Sequence, residues 1–189
     1  IGSILAFAAI TIGFVFIHYP NTSLFMALLI TASVGTIMGL VNGIIVTRFN
    51  VHSIIVTLGT LSLYRGLVFI VSGGRQIDRN DIPVHIISFS QTSFLFSIPA
   101  ILILSVVIVL ITHLIMRHSV LGREIYATGS NPEAAHLKGI NVTKVTLFCF
   151  GVCGMLAGVA GLFYASRFGY VNPGVTGVGI EFIVIAGVI

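Results

Sequence analysis

Residues 23–46 read SLFMALLITASVGTIMGLVNGIIV, an apolar run that holds no charged side chain. A run of about 20 apolar residues can cross the hydrocarbon core of a membrane as an α-helix, which rises about 1.5 Å per residue. A strand of a membrane barrel needs only about 10 residues and alternates in polarity. The stretch therefore predicts a transmembrane helix, which we call segment B.

Further apolar runs lie on both sides of segment B. They are segment A (Ile1–Ile17), segment C (Ser53–Val71), segment D (Phe94–Met116), segment E (Val145–Ala165) and segment F, which begins near Val178 and is truncated. Most charged side chains fall in the connections between these runs. The pattern predicts an all-α fold, a polytopic transmembrane helix bundle with about five complete spans and a truncated sixth.

The composition argues against other classes of protein. Of the 189 residues, 57% are apolar and 7% are charged, whereas a soluble domain has about 25% charged residues. So few charges cannot form the polar shell of a soluble enzyme, and the apolar content argues against disorder. Two cysteines are too few for a disulfide-stapled domain. The net charge of +4 suits contact with anionic lipid, and no nucleic-acid partner is predicted.

Both ends of the sequence lie inside apolar runs. Ile1 already belongs to one run, and residues 180–189 stop within another. We expect residues 1–189 to be a single transmembrane domain and an internal fragment of a longer chain.

The connections alternate between the two sides of the membrane. One side holds Arg48, Arg117, Arg123, Lys138 and Lys144, and the other holds Arg75, Arg79 and Arg167. Cytoplasmic connections carry the excess of Lys and Arg. The first set is therefore predicted to be cytoplasmic.

Glycines repeat along segments B and E. They are Gly35, Gly39 and Gly43 in one, and Gly151, Gly154, Gly158 and Gly161 in the other. Such stripes are typical of close helix packing, and they would also suit a tight core around a moving pathway. The pattern Gly-x3-Gly-x8-Arg-Phe occurs at 35–49 and again 119 residues later. The predicted topology orients the two copies oppositely, as in the inverted repeats of transporters.

The connection 117–144 is the longest hydrophilic connection on the predicted inner side. Asn131 is a good N-cap, Pro132 suits the first helical position, and Glu133 complements the positive helix end. Gly139 can adopt the left-handed conformation that terminates a helix. These residues predict a capped surface helix that is too short to be stable alone. It either packs against a partner or lies on the lipid headgroups.

No motif in the sequence indicates catalysis. Cys149 and Cys153 lie four residues apart without the further ligands that a metal site needs. No His-Glu-x2-His pattern and no Gly-x4-Gly-Lys-Ser/Thr phosphate loop occurs. We therefore predict no catalytic residue, no metal site and no cofactor. An intramembrane enzyme would need convergent reactive groups within the spans, and none is found.

Residues 122–142, which read GREIYATGSNPEAAHLKGINV, resemble the cytoplasmic loop of permease subunits from bacterial ABC importers. The family imports ribose, xylose, rhamnose or autoinducer-2, and is related to branched-chain amino-acid permeases. Three other stretches are similar to its motifs: IGSI at 1–4, IVTLGTLSLYRGL at 55–67 followed by Ser72-Gly-Gly, and GVGIEFIVIA at 177–186.

The resemblance implies a multi-pass permease subunit in the bacterial cytoplasmic membrane. It would translocate a sugar or sugar-like solute by alternating access, beside a second permease that is identical or homologous. Two ABC ATPase subunits on the cytoplasmic side would hydrolyse ATP, and a periplasmic or lipid-anchored binding protein would deliver the solute. The predicted loop helix would be the coupling helix seated in the ATPase cleft, formed by Asn131, Pro132, Glu133, Ala134, Ala135, His136, Leu137, Lys138 and Gly139.

Polar side chains within the spans are candidates for lining the translocation pathway: Asn42, Thr57, Thr60, Tyr64, Arg65 and Glu181. A bare cation inside the membrane costs from about 3 to above 10 kcal/mol, so Arg65 either lines the pathway or ties helices together. The hydroxyls either bind a sugar or bond to their own helix, and Asn42 either lines the pathway or bonds between helices. Glu181 either pairs with Arg65 or Arg167, binds solute, or simply suits a helix start.

The alternative function is an ion-coupled secondary transporter or a channel. Such a protein would use intramembrane acids or broken helices for ion coupling. Glu181 is the only acid in the apolar segments, and it lies near the edge of segment F.

Overall fold

The computed structural model describes residues 1–91, 93–94 and 98–187. This part of the chain is almost entirely helical, and the predicted all-α fold is confirmed. The helices are α1 (Gly2–His18), α2 (Leu24–Phe49), α3 (Ser53–Ser72), α4 (Val84–Gln91), α5 (Ala100–His118), α6 (Val120–Ser130), α7 (Pro132–Leu137), α8 (Val142–Phe168) and α9 (Ile180–Ala186). A 3-10 turn spans Arg79–Asp81, and β1 (Ser93–Phe94) pairs with β2 (Ile98–Pro99) in antiparallel orientation.

Segments A, B, C and E correspond to α1, α2, α3 and α8, each to within three residues at either end. Helices α2, α3, α5 and α8 are long and apolar enough to cross a membrane, and α1 is a further apolar helix of 17 residues. The helices extend past the apolar runs. Charged residues such as Arg48 and Lys144 lie in their end turns, where long side chains reach the polar layer.

Helix α1 lies at the centre of the described bundle and contacts α2, α3 and α8. Small residues such as Ala6 and Ala9 let these neighbours approach, and both are fully buried. Ile10 and Phe16 fill the space between the helices and are also buried. Buried side chains occur on every side of α1, as expected for a helix enclosed by others.

Helices α2 and α8 pack along their glycines. Gly35 contacts the backbone of Gly154 and Gly158, and Gly39 contacts the backbone of Phe150 and Gly154. Contacts that advance along α2 retreat along α8, so the two helices are antiparallel, as the topology predicts. Without side chains between them the backbones touch directly, and van der Waals contact holds the pair together. We call this contact the glycine seam.

The two copies of the predicted repeat meet in the glycine seam. Gly35 contacts Gly158, and Gly39 contacts Gly154. In the repeat, Gly154 corresponds to Gly35 and Gly158 corresponds to Gly39. Gly35 of the first copy therefore contacts the counterpart of Gly39, and Gly39 contacts the counterpart of Gly35. An antiparallel contact with this exchange has local two-fold symmetry, which is the form that an inverted repeat requires.

The connections that follow α1, α3 and α8 lie together at one end of the bundle, which we call the outer end. A ring nitrogen of His85 lies 3.0 Å from the Thr22 carbonyl oxygen. Ile77 and Val171 exchange two backbone hydrogen bonds of 3.0 Å. These contacts join all three connections, and they confirm the predicted alternation for this end.

The connection 72–93 is folded rather than open. Ile77, Ile82 and Ile86 are buried in the same core as α1, and the hydroxyl of Ser166 donates to the Ile86 carbonyl at 2.6 Å. The sequence predicts only a connection here, because these apolar residues become core positions through contact with α1 and α8.

Two boundaries differ from the sequence predictions. The prediction that segment D is helical from Phe94 is wrong, since Phe94 lies in β1 and α5 begins at Ala100. Pro99 restricts the residue before it to extended backbone, so the helix starts only after the proline. Residues 95–97 lie outside the described residues. The connection 117–144 contains a second helix, α6, which begins where the Ser119 hydroxyl accepts the Gly122 N–H at 2.9 Å.

Candidate functional site

Tyr64 and Asn42 join α3 to α2 inside the membrane-spanning region. The Tyr64 hydroxyl lies 2.9 Å from the Met38 carbonyl oxygen and 3.1 Å from Asn42 Oδ1. Its single proton can serve only one of these acceptors. With the Asn42 amide turned over, the amide would donate to the hydroxyl and both contacts would be satisfied. Both side chains are buried, and this contact is the interhelical bond that the sequence offered for Asn42.

Tyr64→Phe should lower the free energy of unfolding by about 1 kcal/mol, the typical value of a hydrogen bond between membrane helices. The ring is retained, so packing is preserved and only the hydroxyl contacts are lost. The measurement is the thermal unfolding midpoint of the full-length protein in detergent. Tyr126→Phe is the matched control, because Tyr126 is 66% exposed. Equal midpoints for the two variants would contradict this account of Tyr64.

The threonine candidates bond to their own helix. Thr57 donates to the Ser53 carbonyl at 2.9 Å, and Thr60 lies 3.3 Å from the Thr57 carbonyl. This is the usual arrangement of hydroxyl side chains in membrane helices. Thr60 is buried on the face of α3 that packs into the bundle.

Arg65 ties α3 to the segment between α8 and α9. Its Nη1 donates to the Thr176 carbonyl at 2.6 Å and lies 3.5 Å from the Pro173 carbonyl. Both acceptors follow α8 at the outer end, so Arg65 lies in the outer half of α3, as predicted. The acceptors are backbone atoms of residues that carry no sequence signal for this role, and the sequence therefore did not identify them.

Glu181 lies in the first turn of α9, against the start of α1. Its Oε2 is buried beside Gly2 and, among the described residues, has no hydrogen-bond partner. Gly2 and Gly177 touch through their backbones at the same point. No ion pair of 4 Å or less joins Arg65 and Glu181 in the described part of the chain.

Helix α7 is the predicted loop helix, and its caps are those expected from the sequence. Asn131 Oδ1 accepts the N–H of Ala134 at 3.0 Å, and Pro132 occupies the first turn. Gly139 has φ +82°, and the N–H groups of Gly139 and Ile140 donate to the carbonyls of His136 and Ala135. This pair of bonds around a left-handed glycine is a Schellman motif.

The sides of α7 differ in exposure. Ala135 is buried, and the other residues from Asn131 to Gly139 are exposed. Contacts to α6 and α8 hold the buried side. A recess of about 400 Å³ beside α7 is lined by His136, Gly139, Ile140, Asn141, Val142 and Thr143. The sequence did not predict this recess, because it forms only where the end of α7 meets the start of α8.

These features define a class of protein. Long apolar helices packed through bare backbone, with polar residues concentrated at the two ends, form a multi-pass integral membrane protein. In the described residues no group of three His, Cys, Asp or Glu side chains is arranged to hold a metal ion. Tyr64 and Arg65 bond to neighbouring helices and connections, and a doubly capped helix lies outside the bundle.

The chain belongs to the family described as the permease component of the branched-chain amino acid transport system, whose model matches residues 1–189. It is 36% identical over 186 residues to the autoinducer 2 import system permease protein LsrC of Yersinia pseudotuberculosis serotype O:3 (strain YPIII), covering 98% of this chain and 51% of that protein. LsrC of Yersinia pestis (strain Pestoides F) matches with the same identity and coverage.

The chain spans about half the length of the curated relatives it matches. No solved structure matches it significantly. The resemblance drawn from residues 122–142 and the three shorter motifs is confirmed by the family match. Family membership and the apolar helices make this chain a multi-pass protein of the cytoplasmic membrane.

Proposed function

We propose that this chain is part of a permease subunit of an ATP-driven importer, which moves a sugar or sugar-like solute into the cytoplasm by alternating access. Family membership and relatives named for autoinducer 2 import support the proposal. The observation that carries it is α7, a rigid helix with a cap at each end and an exposed outer side. Contacts to α6 and α8 hold one side of this short helix, and its exposed outer side is free to meet a partner.

The partner at α7 is the ABC ATPase. The connection that contains α7 carries Arg117, Arg123, Lys138 and Lys144, and the positive-inside rule makes this side cytoplasmic, where ATP is available. The chain has no phosphate loop of its own. At the outer end, the folded connections offer a surface to a periplasmic or lipid-anchored binding protein. A second permease, identical or homologous, would complete the pathway.

Movement of α7 can pass directly into the bundle. The Schellman motif fixes the end of α7, and Asn141 Oδ1 caps α8 by accepting the N–H of Lys144 at 3.0 Å. Only four residues separate these two helices. Helix α8 contacts α2 through the glycine seam and contacts α1 at the centre. When ATP binding closes the ATPase pair, α7 would therefore move α8, and α8 would move α2 and α1.

The proposed pathway passes Arg65 and Glu181. Asn42, Thr57, Thr60 and Tyr64 use their polar groups in bonds to helices, whereas Arg65 uses one of its guanidinium nitrogens and Glu181 keeps a buried oxygen without a partner among the described residues. A solute rich in hydroxyls offers both donors and acceptors to such groups. The outer position of Arg65 would expose this polar region to solute that arrives from the binding protein.

The test is solute uptake by right-side-out membrane vesicles that contain the full-length protein, the co-expressed ATPase and the binding protein. Labelled ribose, xylose, rhamnose and autoinducer 2 serve as the panel. Uptake of at least one solute should stop when ATP is depleted and should continue in the presence of a protonophore. Uptake that stops with the protonophore and survives ATP depletion would establish the ion-coupled alternative instead.

A further inference from the structure

Leu137 is the most exposed large apolar residue in the described chain, with 88% of its surface accessible. Exposed apolar side chains along α2, α3 and α5 lie in membrane-spanning helices, where lipid or other spans cover them. Leu137 has no such cover. Helix α8 has 27 residues and is about 40 Å long, which already exceeds the roughly 30 Å of hydrocarbon. Helix α7 precedes the first residue of α8 and therefore lies outside the membrane core.

The orientation of Leu137 is fixed by the fold. Residues two positions apart point to nearly opposite sides of a helix, and Ala135 is the one that faces the protein, with 2% of its surface accessible. Contacts of α7 with α6 and α8 set which side faces the protein, and the 3.1 Å bond from the Ile140 N–H to the Ala135 carbonyl closes the last turn of the helix. The small residue is therefore buried and the large apolar residue points outward, the reverse of what stability of this chain alone would favour.

Charged groups surround the exposed leucine. Glu133 lies one helical turn before Leu137 on the same side, and Lys138 follows it directly; both are exposed. An apolar centre with a polar rim is the usual form of a small protein–protein contact. The recess beside α7 lies next to this surface and could receive a side chain of the partner.

We propose that Leu137 is the apolar anchor of α7 and inserts into a hydrophobic pocket on the ATPase subunit. This inference rests on the proposed function, because the importer supplies the partner. A few residues that fill well-packed, desolvated pockets near the centre of an interface carry most of the binding energy. The pocket would be apolar at its base, with groups at its rim that complement Glu133 and Lys138.

The first test compares Leu137→Ala and Leu137→Met in the full-length permease co-purified with its ATPase. Leu137→Ala should weaken ATPase retention at least 10-fold, while Leu137→Met, which keeps the apolar volume, should stay within about threefold of wild type. Val120→Ala is the matched control, because Val120 is 60% exposed on neighbouring α6, and its retention should not change.

The second test replaces Leu137 with Trp in a Trp-free permease in lipid nanodiscs. The indole fluorescence should resemble that of an exposed residue in the permease alone and shift to the blue when the ATPase is added. A blue-shifted spectrum without ATPase would mean that lipid covers this side chain, and would overturn the proposal. Normal retention by Leu137→Ala overturns it as well. If wild-type permease retains no ATPase at all, the proposed function fails first.

Discussion

Gly154→Ala should destabilise the bundle by about 2 to 3 kcal/mol, the upper part of the range for overpacking. A methyl group at this position would overlap the carbonyl oxygen of Gly35 and approach the Gly39 Cα to 2.8 Å. These are backbone atoms, which cannot turn aside as a flexible side chain can. The glycine seam would have to open along α2 and α8, and contacts on both sides of it would be lost.

Gly59→Ala is the control, because a methyl group at Gly59 meets nothing within 4 Å among the described residues. The same substitution there should stabilise α3 slightly, since alanine is favoured over glycine in helices by up to about 1 kcal/mol. The measurement is the fraction of full-length protein that stays monodisperse after heating in detergent, at a series of temperatures. Opposite shifts in the midpoint are expected. A Gly154→Ala midpoint equal to or above that of Gly59→Ala would contradict the glycine seam.

Gly139→Val should lower ATP-driven uptake at least 10-fold while leaving the amount of protein in the membrane unchanged. Gly139 has φ +82°, and a left-handed conformation costs a β-branched residue at least about 1 to 2 kcal/mol. That cost is similar to the stability that the two hydrogen bonds of the Schellman motif give to the end of α7. The last turn of α7 would therefore unwind, and motion of the ATPase would no longer reach α8.

Gly129→Val controls for the presence of a valine in this connection. Gly129 lies in α6 with an ordinary helical φ, and a methyl group there would meet no atom of the described chain within 4 Å. Uptake by this variant should stay within about twofold of wild type. If Gly139→Val transports at the wild-type rate, α7 is not the element that couples the bundle to ATP.

The spans and α7 could be predicted from the sequence because their determinants are local. A helix that crosses the membrane is specified by one uninterrupted apolar run. The caps of α7 are also local. The Asn131 side chain binds a backbone N–H three residues later, and the backbone of Gly139 adopts the left-handed conformation that ends the helix. The opposite orientations of segments B and E followed from counting connections, whereas their packing against each other did not.

The remaining features depend on contacts between distant parts of the chain. Ile77 becomes a core residue through contact with α1 and pairing with Val171, both far away in sequence, so the folded outer end could not be predicted. The acceptors for Arg65 are backbone carbonyls, which every residue has. The contact between Tyr64 and Asn42 depends on how α2 packs against α3, which the sequence does not specify.

The most direct test of the central claim is crosslinking from α7 to the ATPase. Single cysteines are introduced at Glu133 and Lys138 of the full-length protein, in a background without Cys149 and Cys153, and Arg75 at the outer end serves as the control position. Both α7 positions should capture an ATPase subunit in native membranes, with yields that change when ATP is added. If both positions label freely from the cytoplasm and capture no ATPase, α7 is only a surface linker and the importer assignment is wrong.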